Sequence, residues 1–186
     1  MPKEQGSLDI ELLGPLRVRR GERELDLGSG RRRSVFAVLA LRAGQAVSRA
    51  ELIRAVWGDD PPATVEGSLY TYVSDLRRVL EPRRSRWSGG EVLVSSGGGY
   101  ELRVDPDGLD VIRLERLRER AAQHAAREQW QSAYDLFTEA LALWRGEALI
   151  DVGGPFAARH RARLAELRLA TIECRAEAAV ALGRAE

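Results

Sequence analysis

Between Thr64 and Arg78 the chain sets small hydroxyl side chains and arginines at helical spacing. At 100° per residue, Thr64, Gly67, Thr71, Ser74 and Arg78 share one face. Ser68 and Asp75 lie on one flank of that face, Tyr70 and Arg77 on the other. These groups are suited to recognition rather than bond-making. Small polar side chains let a helix lie deep in a B-DNA major groove about 12 Å wide. Arg77 and Arg78 at the helix end then reach flanking phosphates, which carry most of the affinity for a duplex. Every amphipathic helix has a polar face, so this one acquires meaning only from the elements around it.

Reacting constellations are missing elsewhere. Gly28-Ser29-Gly30-Arg31 lacks the spacing and the Lys-Ser/Thr pair of a phosphate loop. Gly97-Gly98-Gly99 falls where a hairpin tip is expected. Asp105-Pro106-Asp107-Gly108-Leu109-Asp110 resembles part of a calcium loop, but its glycine is at position 4 rather than 6, and position 12 is Arg116. His124, His160 and Cys174 are scattered without metal-ligand spacing. No serine sits in a nucleophile motif with a matching histidine. The expectation is therefore a protein that is not an enzyme, with neither metal nor cofactor.

The elements that would position the Thr64–Arg78 face can be read from periodicity. Leu8, Ile10 and Leu12, then Leu16 and Val18, then Leu25 and Leu27 alternate with polar residues around Gly14-Pro15 and Arg20-Gly21, which predicts a small antiparallel sheet. Val35, Phe36, Leu39 and Ala40 begin a first helix near Arg32, ended by Gly44. Ser48 with Glu51 three residues on is a capping box that opens a second helix, which Gly58 stops. Asp59-Asp60-Pro61-Pro62 is a turn, and a third helix is expected over 63–80, with Val65, Leu69, Val73, Leu76 and Leu80 as its apolar stripe. After a basic loop over 83–90, Val92 and Val94, then Tyr100, Leu102 and Val104, flank a Gly-rich turn, a hairpin signal. Strands, three helices and a hairpin, in that order, predict an α+β winged helix over 1–104.

Residues 105–186 read as wholly helical. Leu114, Leu117, Ala121 and Ala125 line one helix, and Ala133, Leu136, Phe137, Ala140 and Leu141 a second from about Gln131 to Trp144. Gly153-Gly154-Pro155 precedes a long third carrying Leu164, Leu167, Thr171, Cys174 and Ala178. Trp130, Ala133 and Phe137 on an antiparallel pair resemble one tetratricopeptide (TPR) unit, so an all-α, TPR-like domain is expected here.

Charge supports the division. The 186 residues sum to +1, but residues 1–104 carry 17 basic and 14 acidic side chains, against 12 and 14 in residues 105–186. Five arginines fall between Arg77 and Arg86, and Arg31-Arg32-Arg33 forms a second cluster; both suit an anionic partner or a solvated face. The longest apolar run, Val35 to Leu41, is 7 residues, against about 20 for a membrane span. One cysteine and an N-terminus without an apolar core predict a cytoplasmic protein with no membrane partner.

Specific strings now point to a family. Arg31-Arg32-Arg33-Ser34, Val47-Ser48-Arg49-Ala50-Glu51-Leu52-Ile53, Val56-Trp57-Gly58-Asp59-Asp60-Pro61-Pro62-Ala63, Tyr72-Val73-Ser74-Asp75-Leu76-Arg77-Arg78 and Gly99-Tyr100-Glu101-Leu102 resemble SARP-type antibiotic regulatory proteins, whose N-terminal domain is similar to the OmpR-type winged helix. Leu141-Ala142-Leu143-Trp144-Arg145-Gly146, Pro155-Phe156-Ala157 and Leu164-Ala165-Glu166-Leu167 are similar to their bacterial transcriptional activation domain.

The resemblance implies a sequence-specific, DNA-binding transcriptional activator. It would bind direct repeats upstream of a biosynthetic gene cluster as side-by-side protomers, with a homodimer on DNA as one form, and recruit RNA polymerase. By the same analogy Ser68, Thr71, Ser74 and Asp75 face the groove, and Arg77 and Arg78 touch the backbone. Thr64, Tyr72, Arg49 and Arg84 complete the candidate DNA-binding set.

The chain departs from the family pattern at Asp75, where that family usually carries arginine. A carboxylate there accepts hydrogen bonds, for example from cytosine N4, and repels phosphate. The alternative reading is therefore a protein-interaction module whose winged helix no longer binds DNA. Family activation domains also continue with further helices, so the expectation is a longer protein, or a partner that completes the array, with Leu164, Ile172 and Leu182 short of packing.

Overall fold

The computed structural model describes residues 7–28, 30–82 and 90–184. Strands β1 (Leu8–Glu11), β2 (Arg17–Arg20) and β3 (Arg23–Glu24) form an antiparallel sheet in that order. Ile10 faces Val18 in the β1–β2 register, so the predicted alternation turns both into the core. Three helices follow: α1 (Arg31–Leu41), α2 (Arg49–Trp57) and α3 (Val65–Leu80). The capping box forms as expected: the Glu51 N–H donates to Ser48 Oγ at 3.2 Å, and the Ser48 N–H donates to Glu51 Oε2 at 3.0 Å. Gly58 ends α2 at φ 81°, a conformation that glycine adopts at low cost.

The hairpin is β5 (Leu93–Ser96) against β6 (Gly99–Leu102). A third strand, β4 (Val47–Ser48), pairs with β6 on its other side. Two residues are too few for a periodic signal, and β4 was not expected. Within β5 the buried pair is Leu93 and Val94, and Val92 is only half-buried. Arg77 Nε donates to the Leu93 carbonyl oxygen and so ties β5 to α3.

A short 3-10 turn (Pro106–Gly108) leads to α4 (Asp110–Ala125), α5 (Trp130–Ala142) and α6 (Pro155–Ala181). Ala121, Ala133, Phe137 and Ala178 form a small core between these helices, close to the pattern that suggested a TPR-like unit. Phe156, Ala157, Leu164, Thr171 and Ala178 give α6 its buried side. Leu164 therefore has the packing it was expected to lack, and Leu182 is half-buried; Ile172, at 38% exposure, faces solvent.

The main core runs through both halves of the chain. Leu12, Leu13 and Leu16, at the β1–β2 turn, pack in one cluster with Leu114, Leu149, Val152 and Phe156. The Asp110 carboxylate accepts from the N–H groups of Leu12 and Leu13 at 2.7 and 2.8 Å. Burial pushes its pKa up to about 6, against those two hydrogen bonds and the nearby Arg145 and Arg113, which lower it. Asp151 accepts from the Leu16 N–H at 2.8 Å and pairs with Arg33. Leu149, held at φ 54°, donates its N–H to Gly14 O at 2.8 Å. Burial of this scale binds the two halves, because each fully buried leucine contributes about 2 kcal/mol.

Candidate nucleic-acid interface

Helix α3 rests on the interior through Val65, Leu69, Val73, Leu76 and Leu80, none more than 8% exposed. The period of the stripe fixes the opposite face. Thr64, Gly67, Thr71, Ser74 and Arg78 are all exposed, while Ser68 and Asp75 are half-buried beside them. The Thr71 hydroxyl donates to Gly67 O at 3.0 Å and the Ser68 hydroxyl to Thr64 O at 3.1 Å. Both hydroxyls are thus satisfied as donors by their own helix and keep lone pairs for a donor from outside.

Asp75 does not offer an uncompensated charge. Its Oδ2 pairs with Arg32 Nη1 at 3.1 Å and its Oδ1 with Arg78 Nη1 at 2.9 Å. The carboxylate links α1 to α3 and steadies the Arg78 side chain, which remains 75% exposed.

Arg77 serves the other flank. Its Nε donates to Leu93 O at 2.8 Å, its Nη2 donates to Ser95 Oγ at 2.9 Å, and the guanidinium lies 5.6 Å from the Tyr100 ring centroid. This arginine sets the hairpin's position beside α3. At the other end of the motif Tyr72 stacks on Trp57, ring centroids 6.2 Å apart and planes 8° from parallel, and Arg31 covers Trp57. Tyr72 is accordingly half-buried and holds the α2–α3 corner.

The cluster Arg31-Arg32-Arg33 is engaged internally. Arg31 donates to Val56 O, Arg32 to Leu27 O and Asp75, and Arg33 to Leu16 O and Asp151. These arginines fasten α1 to its surroundings rather than forming a bare basic patch. Arg49, first residue of α2, is exposed. Arg84, like Arg83 and Arg86, lies outside the described residues.

The helical wheel sets Tyr70 on a flank, outside the candidate contact set. At 70% exposure it is the most exposed large apolar side chain among the described residues, one turn before Ser74 and about two turns before Arg77. Its exposure was the missing signal, since periodicity alone left it between core and surface.

Other candidates resolve into structural parts. Asp105 caps the 3-10 turn by accepting from the Asp107 N–H at 3.0 Å, and Asp110 turns inward, so that segment is a corner rather than a cation loop. His124 bonds Gln129 Oε1 at 2.6 Å. His160 stacks on Phe156, and burial holds its pKa below the usual histidine value. Among the described residues no group of three or more His, Cys, Asp or Glu side chains is placed to hold a metal.

Comparison with known proteins gives the family. The family model for "Transcriptional regulatory protein, C terminal" matches residues 22–102, and that for "Bacterial transcriptional activator domain" matches residues 109–186. The chain belongs to the SARP-type family of regulatory proteins. The family is one of transcriptional regulators, not enzymes.

Among SARP-type relatives, Regulatory protein AfsR of Streptomyces coelicolor is 40% identical over 174 residues, which are 93% of this chain and 17% of that protein. Regulatory protein DnrI of Streptomyces peucetius is 37% identical over 181 residues, 95% of this chain and 66% of that protein. A solved structure of Mycobacterium tuberculosis EmbR, in complex with a low-affinity phosphopeptide, superposes with a TM-score of 0.87 at 29% identity, covering 96% of this chain and 47% of that one. The chain thus spans less than two thirds of the length of each of these relatives. Among the described residues no helix is long and apolar enough to cross a membrane.

Proposed function

We propose that this SARP-type regulator is a cytoplasmic, sequence-specific DNA-binding transcriptional activator that inserts α3 into the major groove. The observation that carries the reading is the exposed face of α3, small and hydroxyl-bearing, with an ordered hairpin braced against its flank by Arg77. Thr64, Ser68, Thr71 and Ser74 meet base edges. Arg78, Arg49 and Arg84 neutralise phosphates, and the Tyr70 phenol donates to the groove wall. Asp75 acts through Arg78, and Arg77 and Tyr72 hold the hairpin and the α2–α3 corner in register. The hairpin is the wing.

Residues 1–104 form the DNA-binding part and 105–186 the part that recruits RNA polymerase. Direct repeats upstream of a biosynthetic gene cluster are the expected sites, bound by adjacent protomers, with a homodimer on DNA as one arrangement.

Titration against random and genomic duplexes at two salt concentrations tests the reading. Wild-type protein binds, and its affinity falls steeply with salt. Arg78→Ala weakens binding to all sequences and flattens the log–log salt slope by about one, the value of one phosphate contact. An unchanged slope removes Arg78 from the phosphate contacts. No binding at low salt supports a protein-interaction module instead.

A further inference from the structure

We infer that Gly67 is the point of closest approach between α3 and the duplex, a position where any side chain would hold the helix off the bases. The inference rests on the proposal that α3 enters the major groove. Gly67 is the only glycine inside an α-helix among the described residues. Short of proline, glycine is the poorest helix former, so its presence there works against the fold.

At most other positions the fold explains the glycine, Gly153 in the turn before α6 being an exception. A Cβ at Gly99 would lie 1.9 Å from Val47 O, and one at Gly108 would lie 2.2 Å from Leu8 O. At Gly67 neither kind of reason applies. Its backbone is not in the left-handed region, and an added Cβ would meet nothing within 4 Å. The empty space opens outward, because Gly67 is exposed on the same face as Thr64, Thr71, Ser74 and Arg78. Glycine is used where a backbone must come close to a ligand, and its place on the exposed face of α3, among Thr64, Thr71 and Ser74, fits that use. In a groove the partner is the base edges, and the gain is that the hydroxyls of Thr64 and Thr71, about one turn to either side, come within hydrogen-bonding reach.

The test compares wild type, Gly67→Ala, Gly67→Leu and Gly153→Ala. Gly153 also lacks a left-handed backbone and close neighbours, but lies in the turn before α6, so it is a matched control. The probes are a random duplex pool and the duplex selected from that pool by the wild-type protein.

Gly67→Ala is expected to melt about 2–4 °C higher and to bind the selected duplex at least tenfold more weakly. Gly67→Leu binds it more weakly again, and Gly153→Ala binds like wild type. Wild-type binding together with unchanged affinity in Gly67→Ala overturns the inference and leaves the DNA reading standing. A lower melting temperature in Gly67→Ala also overturns it, because the fold would then need the glycine. Failure of the wild type to bind either probe overturns the DNA reading, and this inference with it.

Discussion

The α3 face and the junction around the β1–β2 turn are built on opposite principles. At the junction, Leu12 and Leu13 are fully buried, both N–H groups are taken by Asp110, and Leu16 is held by Asp151 and Arg33. On the α3 face the side chains other than Arg78 are short, and the hydroxyls of Ser68 and Thr71 bond within their own helix. The junction supplies stability and turns most of its groups inward. The face supplies accessible groups and almost no stability. One buried cluster runs beneath both, with Leu69, Val73, Leu76 and Leu80 of α3 in the same core as Leu12, Leu13 and Leu16.

Substitutions can break or sharpen this contrast. The largest effect is expected from Leu12→Ala, which leaves a cavity at the junction and costs about 3 kcal/mol. Denaturant unfolding followed by both fluorescence and circular dichroism then shows one transition, shifted as a whole; two separated transitions would contradict a shared core. Asp110→Ala strands two buried N–H groups and costs about 2 kcal/mol at pH 7.

The same residue predicts a pH dependence. Its folded pKa of about 6 exceeds the unfolded value of about 4, so the folded state holds the proton more tightly. The stability from this group is complete below pH 4, declines as pH rises to about 6, and is flat above. Asp110→Asn removes that slope. A wild-type stability that rises through this window, with the slope unchanged in Asp110→Asn, would show that another group governs it.

Ser48→Ala removes the α2 cap and costs about 1 kcal/mol, measurable as a lower midpoint at unchanged m-value. The smallest stability effect belongs to Thr71→Ala, within about 0.5 kcal/mol of wild type. Its effect is on choice: site preference changes more than overall affinity when bound duplexes are selected and sequenced. A uniform loss at every site would move Thr71 from the reading face to the scaffold.

Much of this architecture is legible in residue order. Alternation placed β1 and β2, the Ser48–Glu51 pair placed the start of α2, and the five-residue apolar stripe of α3 fixed which side faces out. Strand β4 was not legible, because its two residues exist as a strand only through pairing with β6. The arginines are a related case. Arg31 to Arg33 read as charge available to a partner, yet each guanidinium reaches across the fold to a carbonyl, an aromatic ring or a carboxylate. Asp75 looked disruptive in sequence and is a bridge in space.

What the sequence determined by itself is what local physics controls: helical and strand periods, the cap, and the turns at glycine and proline. Each of these depends on residues within about one turn of one another. What only the tertiary structure decided is the state of the long polar side chains, and the joining of two recognisable halves over one core. An arginine spans several ångströms and finds its partner 43 positions away, as Arg32 does at Asp75, or 118 away, as Arg33 does at Asp151. Chain order carries no signal of such a meeting, because it follows from how the helices pack.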